Sequence, residues 1–239
     1  ALDGDADRVT AVSADGRYVD PHRIFAILLE RVLAKGRLSG EIAKSFSVSD
    51  LIDRICERRR VPLSVTPIGF KHLAEKMRTG RILVAGEESG GIGFHDHIPD
   101  RDGLLAGLRL AEAMATERVS LDSFTGRLTE LYGELAYDRV DLPISAERLR
   151  SLWLALERDP WQSIGGRRVE RVERLDGVKF RLRPEGWLLL RASGTEPRLR
   201  VYCEAGSEEA VQTILREATQ RLLEETRAPA SGSTRRSKN

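Results

Sequence analysis

The chain has 239 residues, 41% apolar and 32% charged, with a net charge of +2. That length accommodates more than one hydrophobic core, so two domains are expected. The near-neutral charge gives no reason to invoke nucleic acid or an anionic membrane as a partner, and no apolar run approaches the roughly 20 residues that cross a bilayer.

In chain order, Arg8–Ser13 has β character and ends in the turn signal Ala14-Asp15-Gly16. Pro21 opens an amphipathic helix to about Lys35, with Ile24, Ile27, Leu28 and Val32 at helical spacing. Strand and helix then alternate. Ile42–Val48 reads as a strand and Ser49 caps a helix through Arg59; Leu63–Thr66 precedes a helix from about Ile68 to Arg78; Arg81–Ala85 runs into a glycine-rich loop. Asp102–Thr116 is predicted helical, and Leu121–Tyr132 is a further candidate. This alternation implies an α/β layered domain with a partly parallel sheet.

The texture changes near Tyr137. A strand (Tyr137–Leu142) and a helix (Ala146–Glu157) lead into short β runs at Arg168–Val172, Val178–Leu182, Trp187–Arg191 and Leu199–Glu204, then a long helix from Ser207 to Glu225. Such a pattern predicts a smaller α+β domain. The segment 228–239 has the composition of a disordered tail. Cys56 and Cys203 lack metal-ligand spacing and are expected as reduced, buried thiols of a cytoplasmic protein.

Three loops carry chemistry. In the first, Asp3, Asp5 and Asp7 alternate, with Arg8 behind them. In an extended segment their side chains would share one face, a charge cluster that a hard cation such as Mg²⁺ or Ca²⁺ would neutralise. An EF-hand is excluded, because Arg8 and Ala14 stand where its Gly and Glu belong. The alternatives at this stage are a solvated acidic turn or a cation site, and Arg8 suits a cation site completed by an anionic ligand. The second loop, Gly86–Gly93, follows a strand and offers the Glu87 carboxylate and Ser89 hydroxyl to sugar hydroxyls; a flexible surface turn is the alternative. The third, Arg191–Arg200, gathers Arg191, Ser193, Gly194, Thr195 and Arg200, the donors of a phosphate cradle, or else a polar hairpin with exposed arginines. No P-loop motif is present. Cation, polyol and phosphate together point to sugar-phosphate chemistry.

With these residues in hand, the chain resembles the α-D-phosphohexomutase family of phosphoglucomutases and phosphomannomutases. Asp3-Gly4-Asp5-Ala6-Asp7-Arg8 resembles that family's metal loop, Gly86-Glu87-Glu88-Ser89-Gly90 its sugar loop, and Arg191-Ala192-Ser193-Gly194-Thr195-Glu196-Pro197 its phosphate loop. The resemblance implies a phosphohexomutase-type α/β domain followed by a smaller α+β domain. It divides the chain into the end of domain two (1–38), domain three (39–135) and domain four (136–227). It implies Mg²⁺ on Asp3, Asp5 and Asp7, with Arg8 beside the transferring phosphoryl group, and a hexose 1,6-bisphosphate intermediate. Glu87 and Ser89 would hold the O3 and O4 hydroxyls, and the Arg191 loop the non-reacting phosphate. Lys71, in Thr66-Pro67-Ile68-Gly69-Phe70-Lys71, is implied as a phosphate contact or proton carrier; His97 and Arg101 are implied near the substrate.

The family's phosphoserine motif, Thr-x-Ser-His-Asn-Pro, is absent from these 239 residues. The expectation is therefore a piece lacking the family's N-terminal domains, inactive alone; a sugar-phosphate-binding module without turnover is the competing reading. Gly91 stands where phosphoglucosamine mutases usually carry His, so glucose phosphate is the expected substrate, with mannose phosphate as the alternative.

Overall fold

The computed structural model describes every residue except 35, 37, 38 and 226–239. The tail expected at 228–239, like the helix end expected at Lys35, lies outside the described residues. Two compact units are present: Ala1–Tyr137 with Arg174–Asp176, and Asp138–Glu173 with Gly177 onward.

The first unit opens with a hairpin of β1 (Ala11–Val12) and β2 (Tyr18–Val19), paired antiparallel. Helix α1 (Pro21–Ala34) follows, then β3 (Glu41–Ser45), α2 (Leu51–Arg59), β4 (Leu63–Thr66), α3 (Phe70–Met77), β5 (Ile82–Gly86), β6 (Ile92–Phe94), α4 (Gly103–Glu117) and α5 (Leu121–Tyr132). The sheet order is β4-β3-β5-β6, parallel except for the antiparallel β6.

The period-two alternation of strands sorts the core. Ile42 and Val84, paired across β3 and β5, join one apolar cluster with α1, α2, α4 and α5. Their neighbours Ala43 and Ala85, also paired, join the cluster built on Phe70, Leu73, Ala74 and Met77 of α3. Helices thus cover both faces, as a parallel sheet requires. At the end of β5, Gly86 is obligatory, because a Cβ there would lie 2.6 Å from the Phe25 ring of α1.

Two local expectations are corrected. The strand expected to reach Val48 ends at Ser45; a turn closes there, with Val48 N–H donating to the Ser45 carbonyl at 3.0 Å. Buried Lys44 explains the stop. Its Nζ donates to the carbonyls of Val48 (3.2 Å) and Ser49 (3.0 Å) and pairs with Asp53, folding the loop back over the strand end. The helix expected from Ile68 begins at Phe70, since Gly69 has φ +123°, outside the helical range.

The second unit holds most of β7 (Ala136–Pro143), then α6 (Ala146–Arg158), β8 (Ser163–Ile164), β9 (Arg167–Glu173), β10 (Val178–Leu182), β11 (Trp187–Ala192), β12 (Arg198–Ala205) and α7 (Glu208–Glu225). The sheet order is β7-β12-β11-β10-β9-β8. Ser145 caps α6 and Ser207 the start of α7, accepting from Arg148 N–H (3.3 Å) and Ala210 N–H (3.2 Å). Cys56 and Cys203 are buried free thiols; burial pushes Cys56 up to about 12 and Cys203 higher still. Among the described residues no helix is long and apolar enough to cross a membrane.

Candidate functional site

The opening segment is a closed loop and not an extended strand, which corrects the expectation that the three aspartates share one strand face. Ala6 adopts φ +56°, Ala6 N–H donates to the Asp3 carbonyl at 3.1 Å, and Leu2 bridges Val9 antiparallel. Asp3 Oδ1 and Oδ2 accept from the Arg8 backbone N–H (3.2 Å) and Nε (2.5 Å). Desolvation pushes the Asp3 carboxyl up, but the Arg8 hydrogen bonds outweigh it and hold it below the usual carboxylate range. Asp5 is exposed.

Three segments converge on this loop. Val9 N–H donates to the Gly90 carbonyl at 3.1 Å. Gly103, the first residue of α4, lies so close that a Cβ would sit 2.7 Å from Arg8 N. Arg101 reaches Asp7 Oδ2 with Nε at 2.5 Å and Glu87 Oε2 with Nη1 at 3.5 Å, its guanidinium 5.8 Å from the Phe70 ring centre. A Cβ at Gly91 would stand 2.8 Å from Arg101 Cδ, so the absence of a side chain there is what admits Arg101.

Glu87 is buried, 4% exposed. Its Oε1 accepts the Gly69 backbone N–H at 2.9 Å, an N–H freed by the bend that starts α3. Burial pushes the Glu87 carboxyl above its ordinary value, with Glu88 adding to the effect; Gly69 N–H and Arg101 oppose it. Ser89 is exposed at the tip of the turn closed by Glu87 and Gly91 (N to O 3.0 Å). Glu88 turns away and accepts from Ser47 Oγ at 2.6 Å.

His97 and Lys71 hold separate positions. His97 Nε2 lies 2.9 Å from Asp102 Oδ2, while Asp102 Oδ1 caps α4 by accepting from Leu105 N–H at 2.8 Å. The Leu105 bond lowers the Asp102 carboxyl most; burial opposes it and His97 adds to it. Lys71 is exposed on the first turn of α3. Sequence reasoning missed Asp102 as a partner for His97, although an Asp directly before a helical Gly-Leu-Leu run is an N-cap signal. The roles of Gly69 N–H and Gly91 left no signal of their own.

Asp7 Oδ1 is buried and has no hydrogen-bond partner. Arg8 Nε lies 3.6 Å from that oxygen as an ion pair; carboxylate oxygens are the ligand type a hard divalent cation takes. Among the described residues, no group of three or more His, Cys, Asp or Glu side chains is arranged to hold a metal ion; Asp3 and Asp7 are instead neutralised by Arg8 and Arg101.

In the second unit, Arg191 on β11 and Arg200 on β12 are direct cross-strand partners and so share a face. Between them the loop closes on Ser193. Its N–H donates to the Arg198 carbonyl (2.9 Å), and its Oγ accepts from Thr195 N–H (3.4 Å) and Glu196 N–H (3.3 Å). The Pro197 carbonyl accepts from Ile144 N–H at 3.1 Å, fixing the loop to the end of β7. Around Gly194 there is open space. Two guanidiniums thus stand opposite each other next to a hydroxyl-bearing turn, with Arg200 Nε 4.0 Å from Asp141 Oδ2.

The family models for phosphoglucomutase/phosphomannomutase match residues 20–132 (α/β/α domain III) and 158–220 (C-terminal domain). The chain belongs to the phosphoglucomutase/phosphomannomutase family. A phosphoglucosamine mutase of Frankia casuarinae is 32% identical over 90% of this chain and 43% of the relative. The crystal structure of a Thermus thermophilus protein described as a phosphomannomutase superposes with a TM-score of 0.78 at 36% identity, covering 94% of this chain and 45% of that one. Aspergillus fumigatus N-acetylphosphoglucosamine mutase, in complex with GlcNAc-6P and magnesium, shares the fold at 18% identity, with a TM-score of 0.60 over 95% of this chain and 52% of its own. The chain thus spans about half the length of each of these proteins.

Proposed function

We propose that this chain supplies the sugar-recognising and phosphate-recognising parts of a phosphohexomutase that interconverts hexose 1-phosphate and hexose 6-phosphate, with glucose as the sugar. The observation that carries this reading is Arg101 joining Asp7 to Glu87, which ties the aspartate loop and the acidic turn into one polar site. Mannose phosphate is the alternative substrate.

In this reading, buried Glu87 and exposed Ser89 bind ring hydroxyls, and the Gly69 N–H fixes the Glu87 carboxylate so that little orientational freedom is lost on binding. Arg191 and Arg200, with Ser193, Gly194 and Thr195, hold the phosphate that does not react. Asp3, Asp5 and Asp7 are the residues that would hold Mg²⁺, provided Asp3 and Asp7 give up Arg8 and Arg101 for the ion; when bound it would supply charge neutralisation to a phosphoryl group in transfer. Arg8 donates to the same phosphoryl oxygens. His97, held by Asp102, and Lys71 are the candidate proton carriers for the hydroxyl that attacks.

The transfer breaks the P–O bond of a phosphoserine and forms one to the sugar hydroxyl, whose proton goes to a base while the departing serine oxygen takes one up; the hexose 1,6-bisphosphate then reorients, and its other phosphoryl group returns to the serine with the proton movements reversed. The serine is not among these residues, so the chain alone binds without turnover. The buried thiols suit a cytoplasmic setting. A coupled assay with glucose 1-phosphate and mannose 1-phosphate, run on the chain and on a longer form carrying the serine motif, tests this. Turnover by the longer form only, faster on glucose, is expected. Turnover by the 239-residue chain, or a large preference for mannose, contradicts it.

A further inference from the structure

Strand β7 turns successive side chains to opposite faces of its sheet. Asp138 points toward α7 and accepts from Gln212 Nε2 at 2.7 Å. Arg139 and Asp141 share the other face, where the Arg139 guanidinium lies 5.8 Å from the Tyr202 ring centre. Tyr202 and Arg200 share a face of β12, the strand next to β7, and Arg191 is the partner of Arg200 on β11. Three guanidiniums, those of Arg139, Arg191 and Arg200, thus gather on the face that carries the Asp141 carboxylate. Asp141 Oδ1 is buried, accepts no hydrogen bond among the described residues, and lies 3.1 Å from Arg139 Nε; Oδ2 lies 4.0 Å from Arg200 Nε. Glu196, the carboxylate within the Ser193 loop, pairs with Arg198 at 2.9 Å.

We infer that Asp141 is a positioning residue that limits how tightly the Arg191 loop holds phosphate, and that Arg139 sets how strongly it does so. The inference rests on the reading of Arg191 and Arg200 as phosphate donors. Asp141 is an anion fixed beside Arg200, so a phosphate that reaches Arg200 competes with it for the guanidinium. Arg139 is the nearer partner of Asp141; it draws the carboxylate away from Arg200 and keeps that competition partial. Ile144 N–H, donating to the Pro197 carbonyl at 3.1 Å, keeps this end of β7 aligned with the loop. Such a brake suits a mutase. Its bisphosphate turns round between the two transfers, so the loop must release its phosphate in every cycle. Binding spent equally on every state of the reaction does not speed the chemical step.

The test is calorimetric binding of inorganic phosphate to the purified chain in low salt. D141N, which keeps the shape and removes the charge, is expected to bind phosphate about fivefold more tightly than the unaltered chain, the scale of one partly exposed ion pair. That gap should narrow in high salt, where exposed charges are screened. D141E, which keeps the charge, should not tighten binding. R139Q, which leaves Asp141 to Arg200, should bind about threefold more weakly, and the double variant R139Q/D141N should recover at least the affinity of the unaltered chain. A purely structural role for Asp141 predicts the opposite sign for D141N, weaker binding together with a lower melting temperature. Affinity of D141N at or below that of the unaltered chain, or an unchanged R139Q, overturns the inference and leaves the phosphate site standing when R191Q and R200Q each abolish binding. No saturable binding by the unaltered chain, or binding that survives both of those substitutions, overturns the phosphate-site reading and the brake with it.

Discussion

Val9 and Gly90 meet backbone to backbone: Val9 N–H donates to the Gly90 carbonyl at 3.1 Å, and a Cβ on Gly90 would stand 2.5 Å from the Val9 carbonyl oxygen. Gly90 also has φ +96°, where side chains are strained. Two loops about 80 residues apart in sequence are therefore held by a contact that only glycine permits.

Gly90→Ala should cost about 1–3 kcal/mol, combining backbone strain with steric conflict. Gly194→Ala, in open space, should change stability by less than about 0.5 kcal/mol. Urea unfolding of both variants checks this pair; equal effects would show that the Val9–Gly90 contact is not what makes Gly90 necessary.

Glu87 gives a pH prediction with a definite sign. Burial and then Glu88 raise its carboxyl above the ordinary 4.5. The fold therefore holds the proton more tightly than the unfolded chain does. The stabilisation is present below the ordinary value and is lost as pH rises through the raised one. Glu87→Gln, which removes the carboxylate, should unfold at a higher temperature than the parent at pH 7, and the gap should close toward pH 4. A gap independent of pH counts against the buried-carboxylate account.

Asp102 has the opposite sign. Its carboxyl is lowered, first by Leu105 N–H and also by His97, so its stabilisation is present above the ordinary 3.8 and is lost as pH falls through the lowered value. Asp102→Ala should cost about 1 kcal/mol at pH 7 through the lost cap, whereas Asp102→Asn should retain most of it. Thermal melts at pH 7 and pH 3 measure this, and an alanine penalty that persists undiminished at pH 3 would refute it.

The two opposed arginines of the second unit lead to a ligand prediction. Like charges directly across a strand pair destabilise it; Asp141, 4.0 Å from Arg200 Nε, offsets part of that here, and an anion held by both guanidiniums would offset more. Inorganic phosphate at about ten times its dissociation constant should stabilise the unit that binds it by about 1.4 kcal/mol. Arg191→Gln or Arg200→Gln should abolish the gain. Calorimetry with and without phosphate decides it, and equal gains in parent and variants would remove these arginines from the site.

Much of this was legible in the sequence, for physical reasons. Apolar residues at helical and strand spacing made α1, β5 and α4 visible, and hydroxyls beside arginines marked the Arg191 loop. Strand β6 was read as part of a loop because its three residues, Ile92–Phe94, are too few to show alternation and follow two glycines. That short strand turns the chain back on β5 and brings Arg101 to Glu87, 14 residues away. The link was invisible because it depends on a tertiary pairing and not on local pattern. The aspartates misled in a different way. Alternate spacing implies a shared face only in extended backbone, and Ala6 at φ +56° breaks that condition.

The most direct measurement is a titration of the isotope-labelled chain with glucose 1-phosphate in the presence of Mg²⁺, following the backbone amides of Val9, Gly69, Glu87 and Arg101. A single site built from the aspartate loop, Glu87 and Arg101 predicts that all four signals move along one saturation curve, and that Glu87→Gln weakens the binding at least about tenfold, as loss of a charged hydrogen-bond acceptor does. Signals in the aspartate loop that stay fixed while the Glu87 turn responds, or no saturable change in either, would contradict it.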